Sequence, residues 1–290
     1  TMTGLALTAL AGCQPSAPAA APAGDGAAGA AAAPSGELVN ALGKVFPADA
    51  LPLDQQIWRE GIGQTGGGFG HIMESLYNRA FEHAGGAETL TSLDLDFNVV
   101  GVGAESWQAA EDGTYWDFTL RKGLLFSDGT PITAEDVAWT FQTLIAQGRP
   151  HYRQYWADIA EVRVESPHRI TFRFKDARNR ELPSILGSLE VLPKHWWATR
   201  DFSRPLTEPP LGSGAYRIGR HEFGRTIELT RVPDYWARDL GTAKGLSNFD
   251  RRRVEYFRDP TVAMEAFKAG QTDFRQENIA LVWATGYDFP

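Results

Sequence analysis

Trp116-Asp-Phe-Thr-Leu-Arg-Lys-Gly-Leu-Leu-Phe-Ser-Asp-Gly-Thr-Pro-Ile-Thr-Ala-Glu-Asp-Val137 carries a strand, two turns and a helix start in one short run. Trp116, Phe118 and Leu120 alternate with Asp117, Thr119 and Arg121, the period of a strand with one buried face. Lys122-Gly123 turns the chain. After Leu124-Leu125-Phe126, a tight turn falls on Ser127-Asp128-Gly129-Thr130-Pro131. Thr133 is placed to cap a helix, with Glu135 and Asp136 in the first turn, where carboxylates oppose the helix dipole. Val137, Phe141 and Leu144 mark one helical face, and Gly148 and Pro150 end the helix.

Downstream, Val162 and Val164, a turn at Ser166-Pro167-His168, and Ile170, Phe172 and Phe174 read as a hairpin. Residues 215–218 and 226–231 read as a second antiparallel pair, and 254–257 as a further strand. Asp259-Pro260 opens a helix that Gly270 closes, and Asp273-Phe274 begins another short strand. The class is mixed α/β, without internal repeats or a membrane-spanning helix pattern.

Composition narrows the chemistry. The 290 residues carry a formal net charge of -8. Arg251-Arg252-Arg253, flanked by Asp250 and Glu255, reads as a solvated strand end, so no concentrated basic face for nucleic acid is expected. The six His residues lack metal-ligand spacing, and no cofactor motif holds. Gly61-Ile-Gly63-Gln-Thr-Gly66 fits a dinucleotide fingerprint formally, but residues 55–60 do not form the apolar parallel strand that should precede one, so a glycine loop is expected. Gly212-Ser213-Gly214 lacks the spacing of a nucleophile elbow. No base, nucleophile and oxyanion site can be assembled, which argues against an enzyme.

The amino-terminal end has its own character. Residues 4–13, Gly-Leu-Ala-Leu-Thr-Ala-Leu-Ala-Gly-Cys, read as the back half of a secretory signal. Leu10-Ala-Gly-Cys13 resembles the bacterial lipobox, which makes the single cysteine, Cys13, the lipid attachment site. Residues 14–36 are almost wholly Ala, Pro and Gly and read as a flexible tether.

The run 116–137, its lead-in Ala104-Glu-Ser-Trp107, the loop Leu211-Gly-Ser-Gly-Ala-Tyr-Arg-Ile218 and Leu229-Thr-Arg-Val-Pro-Asp-Tyr-Trp236 together resemble family 5 of the extracellular solute-binding proteins. That family serves ABC importers of oligopeptides, dipeptides and nickel. Asn248-Phe-Asp250, Tyr256-Phe-Arg-Asp-Pro-Thr-Val-Ala263, Glu265-Ala-Phe-Lys-Ala-Gly270, Asp273-Phe-Arg275, Glu277-Asn278 and Trp283-Ala-Thr285 resemble its Yej-type, peptide-binding branch. Ala215 stands where the family usually has Pro.

The resemblance implies a two-lobe α/β binding protein of class II with an extra subdomain, of which only the first lobe and the start of the crossover are present. Residues 37–55 and 195–278 are expected to form the base of that lobe, 56–194 an inserted subdomain, and 279–290 the start of the crossing. It further implies capture of oligopeptides, peptide antibiotics among them, for ABC permease subunits. The protein would be a monomeric lipoprotein held at the membrane, periplasmic or on the cell surface. Glu277, Asn278 and Trp283 are the implied ligand contacts, Glu277 meeting a peptide amine and Asn278 its backbone. A supporting role for Glu277 and Asn278 at the hinge stays equally open. The competing readings are a secreted α/β hydrolase and a binding protein for a non-peptide ligand such as a nickel chelate.

Overall fold

The computed structural model describes residues 47, 50–52, 57–62, 87–94, 96–148, 150–176, 182–202, 206, 208–222, 224–277 and 279–288. The chain divides into two units, 1–36 and 37–290, and every described residue lies in the second. The expected signal remnant, tether and Cys13 lie outside the described residues.

Residues 116–137 build one part of a hydrophobic core that both sheets share. β4 (Ala104–Ala109), β5 (Tyr115–Leu120), β6 (Ile159–Ser166) and β7 (Arg169–Phe174) form an antiparallel sheet in the order β4-β5-β7-β6. Phe118, Leu120, Ile170 and Phe172 are buried on one face, as alternation requires. Helix α1 (Ala134–Gln147) covers that face, and Phe141 meets Phe172 and Trp156 with ring centroids 4.8 and 4.6 Å apart. Asp117 departs from the expected solvent-facing role: it is buried. The Arg169 Nε donates to its carboxylate at 2.8 Å and the Thr171 hydroxyl at 3.0 Å, which offsets the loss of water.

The helix start is a reciprocal cap that reaches further than its own turn. Asp136 Oδ2 accepts from the Thr133 N–H at 2.9 Å, and its Oδ1 accepts from the Lys194 N–H at 3.1 Å. One buried carboxylate thereby fixes both the entry of α1 and the first residue of α4 (Lys194–Trp197). Thr140 repeats the device, its hydroxyl accepting from Leu192 N–H at 3.0 Å and donating to the Asp136 carbonyl at 2.7 Å. The hairpin β2 (Thr91–Leu93) and β3 (Val99–Gly101) and the short helices α2 (Pro150–Tyr155) and α3 (Leu182–Gly187) complete this region.

A second sheet has the order β1-β10-β9-β8, from β1 (Ile57–Ile62), β8 (Tyr216–Glu222), β9 (Thr226–Arg231) and β10 (Arg251–Tyr256). β1 runs parallel to β10, while β8, β9 and β10 are antiparallel neighbours. Tyr216, Ile227, Leu229, Val254 and Tyr256 bury one face. Residues 57–62, expected within the inserted segment 56–194, form a strand parallel to β10 in this sheet. Arg251, Arg252 and Arg253 open β10, paired through their backbone with β1 and β9, with Arg253 exposed and the other two partly so.

The loop before β8 shows why glycine suits it. Residues 212–215 are buried between the two sheets' regions. Gly212 O accepts from Ser127 N–H at 2.7 Å, Ser213 Oγ accepts from Glu88 N–H at 2.9 Å, and Ser213 O accepts from the Trp236 indole at 3.1 Å. Backbone itself is the packing surface.

Candidate functional site

In open α/β sheets, ligands are met beyond the carboxyl ends of parallel strands. Three parallel segments leave the base sheet at one such edge. β1 ends at Ile62 and β10 at Tyr256, and Phe274 adds a parallel bridge to Glu60 on the free side of β1. Asp273 fastens that third segment: its carboxylate takes Arg59 N–H at 2.8 Å, Arg59 Nε at 3.0 Å and Arg59 Nη2 at 2.7 Å. Arg59 holds the Asp273 carboxyl below the usual carboxylate range.

Helix α5 (Pro260–Lys268) follows β10. Asp259 caps it, accepting from the Thr261 and Val262 N–H groups at 2.9 Å each, and Ala263, Met264 and Ala266 are buried beneath it. Gly61 lets this layer approach β1. A Cβ there would sit 3.1 Å from both a Phe257 ring carbon and the Thr272 methyl. Gly270, at φ +69°, ends the turn that brings the chain back to β1.

Beyond Phe274 lie the residues singled out from sequence. The Glu277 side chain is 3% exposed and that of Arg275 is 8% exposed, and they pair at 2.9 Å. The other Glu277 oxygen accepts from Ile279 N–H at 2.9 Å. Burial alone would depress the Arg275 guanidinium, but the hydrogen bond and charge of Glu277 raise it above its ordinary value. Both carboxylate oxygens thus have partners inside the chain, which favours the supporting role of the two left open for Glu277. Asn278 lies outside the described residues. Trp283 stands on helix α6 (Ala280–Gly286), 69% exposed, with one edge against Tyr287 at 5.2 Å. Tyr287 in turn meets Phe267 of α5 at 6.2 Å.

Sequence reading missed what accompanies Trp283. Phe274, Ile279 and Leu281 are exposed at 40, 51 and 72%, so this edge presents apolar area to solvent. Trp58 backs it, 5.6 Å from Phe274 and 5.5 Å from Phe249. The signal was present in the run Ile279-Ala-Leu-Val-Trp283, which has no polar residue. Among the described residues, no group of His, Cys, Asp and Glu could hold a metal ion, and no helix is long and apolar enough to cross a membrane.

The sequence profile of the bacterial extracellular solute-binding proteins, family 5, matches residues 98–290. The chain belongs to that family. It is 32% identical over 287 residues to the Probable peptide-binding protein YejA of Agrobacterium fabrum, covering 85% of this chain and 46% of that protein. It is 38% identical over 215 residues to the Escherichia coli protein YejA, covering 74% and 34%. The chain therefore spans less than half the length of these family 5 relatives. Among solved structures, the Bacillus subtilis oligopeptide-binding protein AppA, in complex with a nonapeptide, matches with a TM-score of 0.66 at 21% identity over 81% of this chain and 46% of that one. NikZ of Campylobacter jejuni, in complex with Ni(L-His), matches at 0.64 and 19% over 82% and 46%. These likenesses establish the family 5 α/β fold. The family and its relatives are solute-binding proteins, not enzymes.

Proposed function

We propose that the chain is part of the substrate-binding component of an ABC importer, and that its solutes are oligopeptides, peptide antibiotics among them. The observation that carries this reading is the 32% identity, over 85% of the chain, to a relative named for peptide binding. The fold is common to binders of peptides and of nickel chelates, so it does not choose between them. A binding protein for varied peptides draws affinity from the constant backbone and leaves side chains in roomy pockets. An exposed apolar edge beyond parallel strands suits such a wall, since it offers area without demanding one side-chain chemistry. In this reading residues 1–13 are a leader remnant, Cys13 carries lipid, 14–36 tether the domain outside the cytoplasmic membrane, and 279–290 begin the crossing to a second lobe. Permease subunits are its protein partners, and it acts as a monomer.

The test is calorimetry on the complete gene product with short peptides and, separately, with nickel–histidine. Saturable heat and a raised melting temperature with peptides alone support the proposal. Binding of the chelate without peptide binding overturns it, as does hydrolysis of peptide or ester substrates.

A further inference from the structure

The base sheet has a second face, opposite its buried one, and alternation decides which side chains share it. The register sets Arg251 opposite Thr230, and Thr230 opposite Arg217. All three alternate with the buried Val254, Leu229 and Tyr216, so they stand in one row on the outward face. Arg217 is exposed, while Thr230 and Arg251 are partly so. Directly opposed residues have Cβ atoms about 5 Å apart, which leaves the two arginines about 10 Å apart across the threonine.

Neither arginine makes an ion pair among the described residues, and the acids nearby are mostly engaged elsewhere. Asp273 holds Arg59 at 2.7 Å, Glu255 holds Arg253 at 3.0 Å, and Asp250 pairs with Arg231. Glu228 lies one row along, opposite Arg253. Two guanidinium groups without an ion pair among the described residues therefore share one row. A carboxylate bound between them would relieve their mutual repulsion.

We propose that Arg217, Thr230 and Arg251 form a docking surface for an acidic segment of a partner protein. Arginine forks match carboxylates in bidentate fashion, and the threonine hydroxyl between them is a further donor. A flat sheet face favours carboxylates borne on a partner over a free anion. Its backbone amides are spent on the ladder, so no concave nest encloses a small ion. The row lies at the start of β1 and β10, where Ile57 and Arg251 are the first residues, away from the carboxyl edge. The partner and a solute at that edge therefore do not compete. The inference stands independently of the solute's identity.

The experiment follows the arginine Nε–H signals of the ¹⁵N-arginine-labelled 290-residue chain while hexaglutamate peptide is added. Saturable shifts are expected for Arg217 and Arg251 and none for Arg225, an exposed arginine already beside Glu222. The double substitution Arg217→Gln and Arg251→Gln should weaken binding by about tenfold, consistent with loss of charge-assisted bonds. Thr230→Val, which keeps both charges, should weaken it less, and neither variant should change the melting temperature appreciably. Equal shifts at Arg225, or none at all, overturn the proposal. So does inorganic phosphate binding as tightly as the peptide, which makes this a small-anion site, or phosphatidylglycerol vesicles binding where the peptide does not, which makes it a membrane contact.

Discussion

The Tyr235 hydroxyl donates to the Glu88 carboxylate, joining the turn after β9 to the segment before β2. Glu88 also binds Ser213 through its N–H and Val191 N–H through its carbonyl, so one residue ties together the loop before β8, the turn after β9 and the segment around Val191. Burial pushes the Glu88 carboxyl up from 4.5 to about 7, with the tyrosine bond lowering it only in part. The same burial, with Glu88 beside it, pushes the Tyr235 phenol up.

That pair makes stability depend on pH. Between pH 4.5 and about 7 the unfolded chain gives up the Glu88 proton while the folded chain keeps it. The unfolded state then binds fewer protons, so stability falls as pH rises through that window and levels off above it. The loss attributable to this group reaches roughly 3 kcal/mol. Glu88→Gln, which stays neutral, should remove this part of the decline and be more stable than the parent at neutral pH. Urea unfolding at acid and neutral pH checks this. An equal loss of stability in the variant at both pH values contradicts it.

Asp136→Ala should destabilise the inserted region by roughly 2–4 kcal/mol, because it removes the cap of α1 and leaves the Lys194 N–H without its acceptor. Asp136→Asn should lose less, since an amide oxygen still serves one of those N–H groups. Thermal unfolding of both variants ranks them, and the reverse order would count against the dual role.

Glu277→Ala should lower the melting temperature without ligand, because it strips a nearly buried arginine of its carboxylate, at a cost of up to about 3 kcal/mol. Trp283→Ala removes a largely exposed ring and should leave that temperature almost unchanged. In the complete protein, peptide affinity should drop for Trp283→Ala. If Glu277→Ala instead spares stability and abolishes binding, Glu277 touches ligand and its internal partners are secondary.

Cys13→Ser, expressed from the complete gene, should move the protein from the membrane fraction to the soluble one. Palmitate labelling that persists in the variant would place the lipid elsewhere.

Where local pattern and tertiary setting agree, the fold was legible. Phe118 and Leu120 are buried, and Thr133 and Asp136 start their helix, because the period of a half-buried strand and the chemistry of a cap are decided within a few residues. β1 was not legible. Ile57-Trp-Arg-Glu60 lacks an apolar run because Asp273 answers Arg59 and Arg252 answers Glu60, partners far along the chain. The candidate site divided in the same way. Trp283, singled out for its place beside the expected crossover, stands at an exposed edge. For Glu277 the sequence left ligand contact and hinge support equally open, and the pairing with Arg275 two residues earlier is visible only in the folded chain.

β1 and β10 are neighbours in space and far apart along the chain, with Ile57 beside Arg251. The hairpins β4–β5 and β6–β7 of the other sheet pair segments that follow one another closely, so they can close soon after synthesis, while β1 has to wait for β10 to be made. During that wait its edges are open to any other unpaired strand, the usual route to intermolecular association. Arg59 and Glu60, which find partners only in the finished sheet, meanwhile keep the strand hydrated and poorly suited to pairing with its own copies. The charges that hid this strand from recognition thus guard the nascent chain against aggregation.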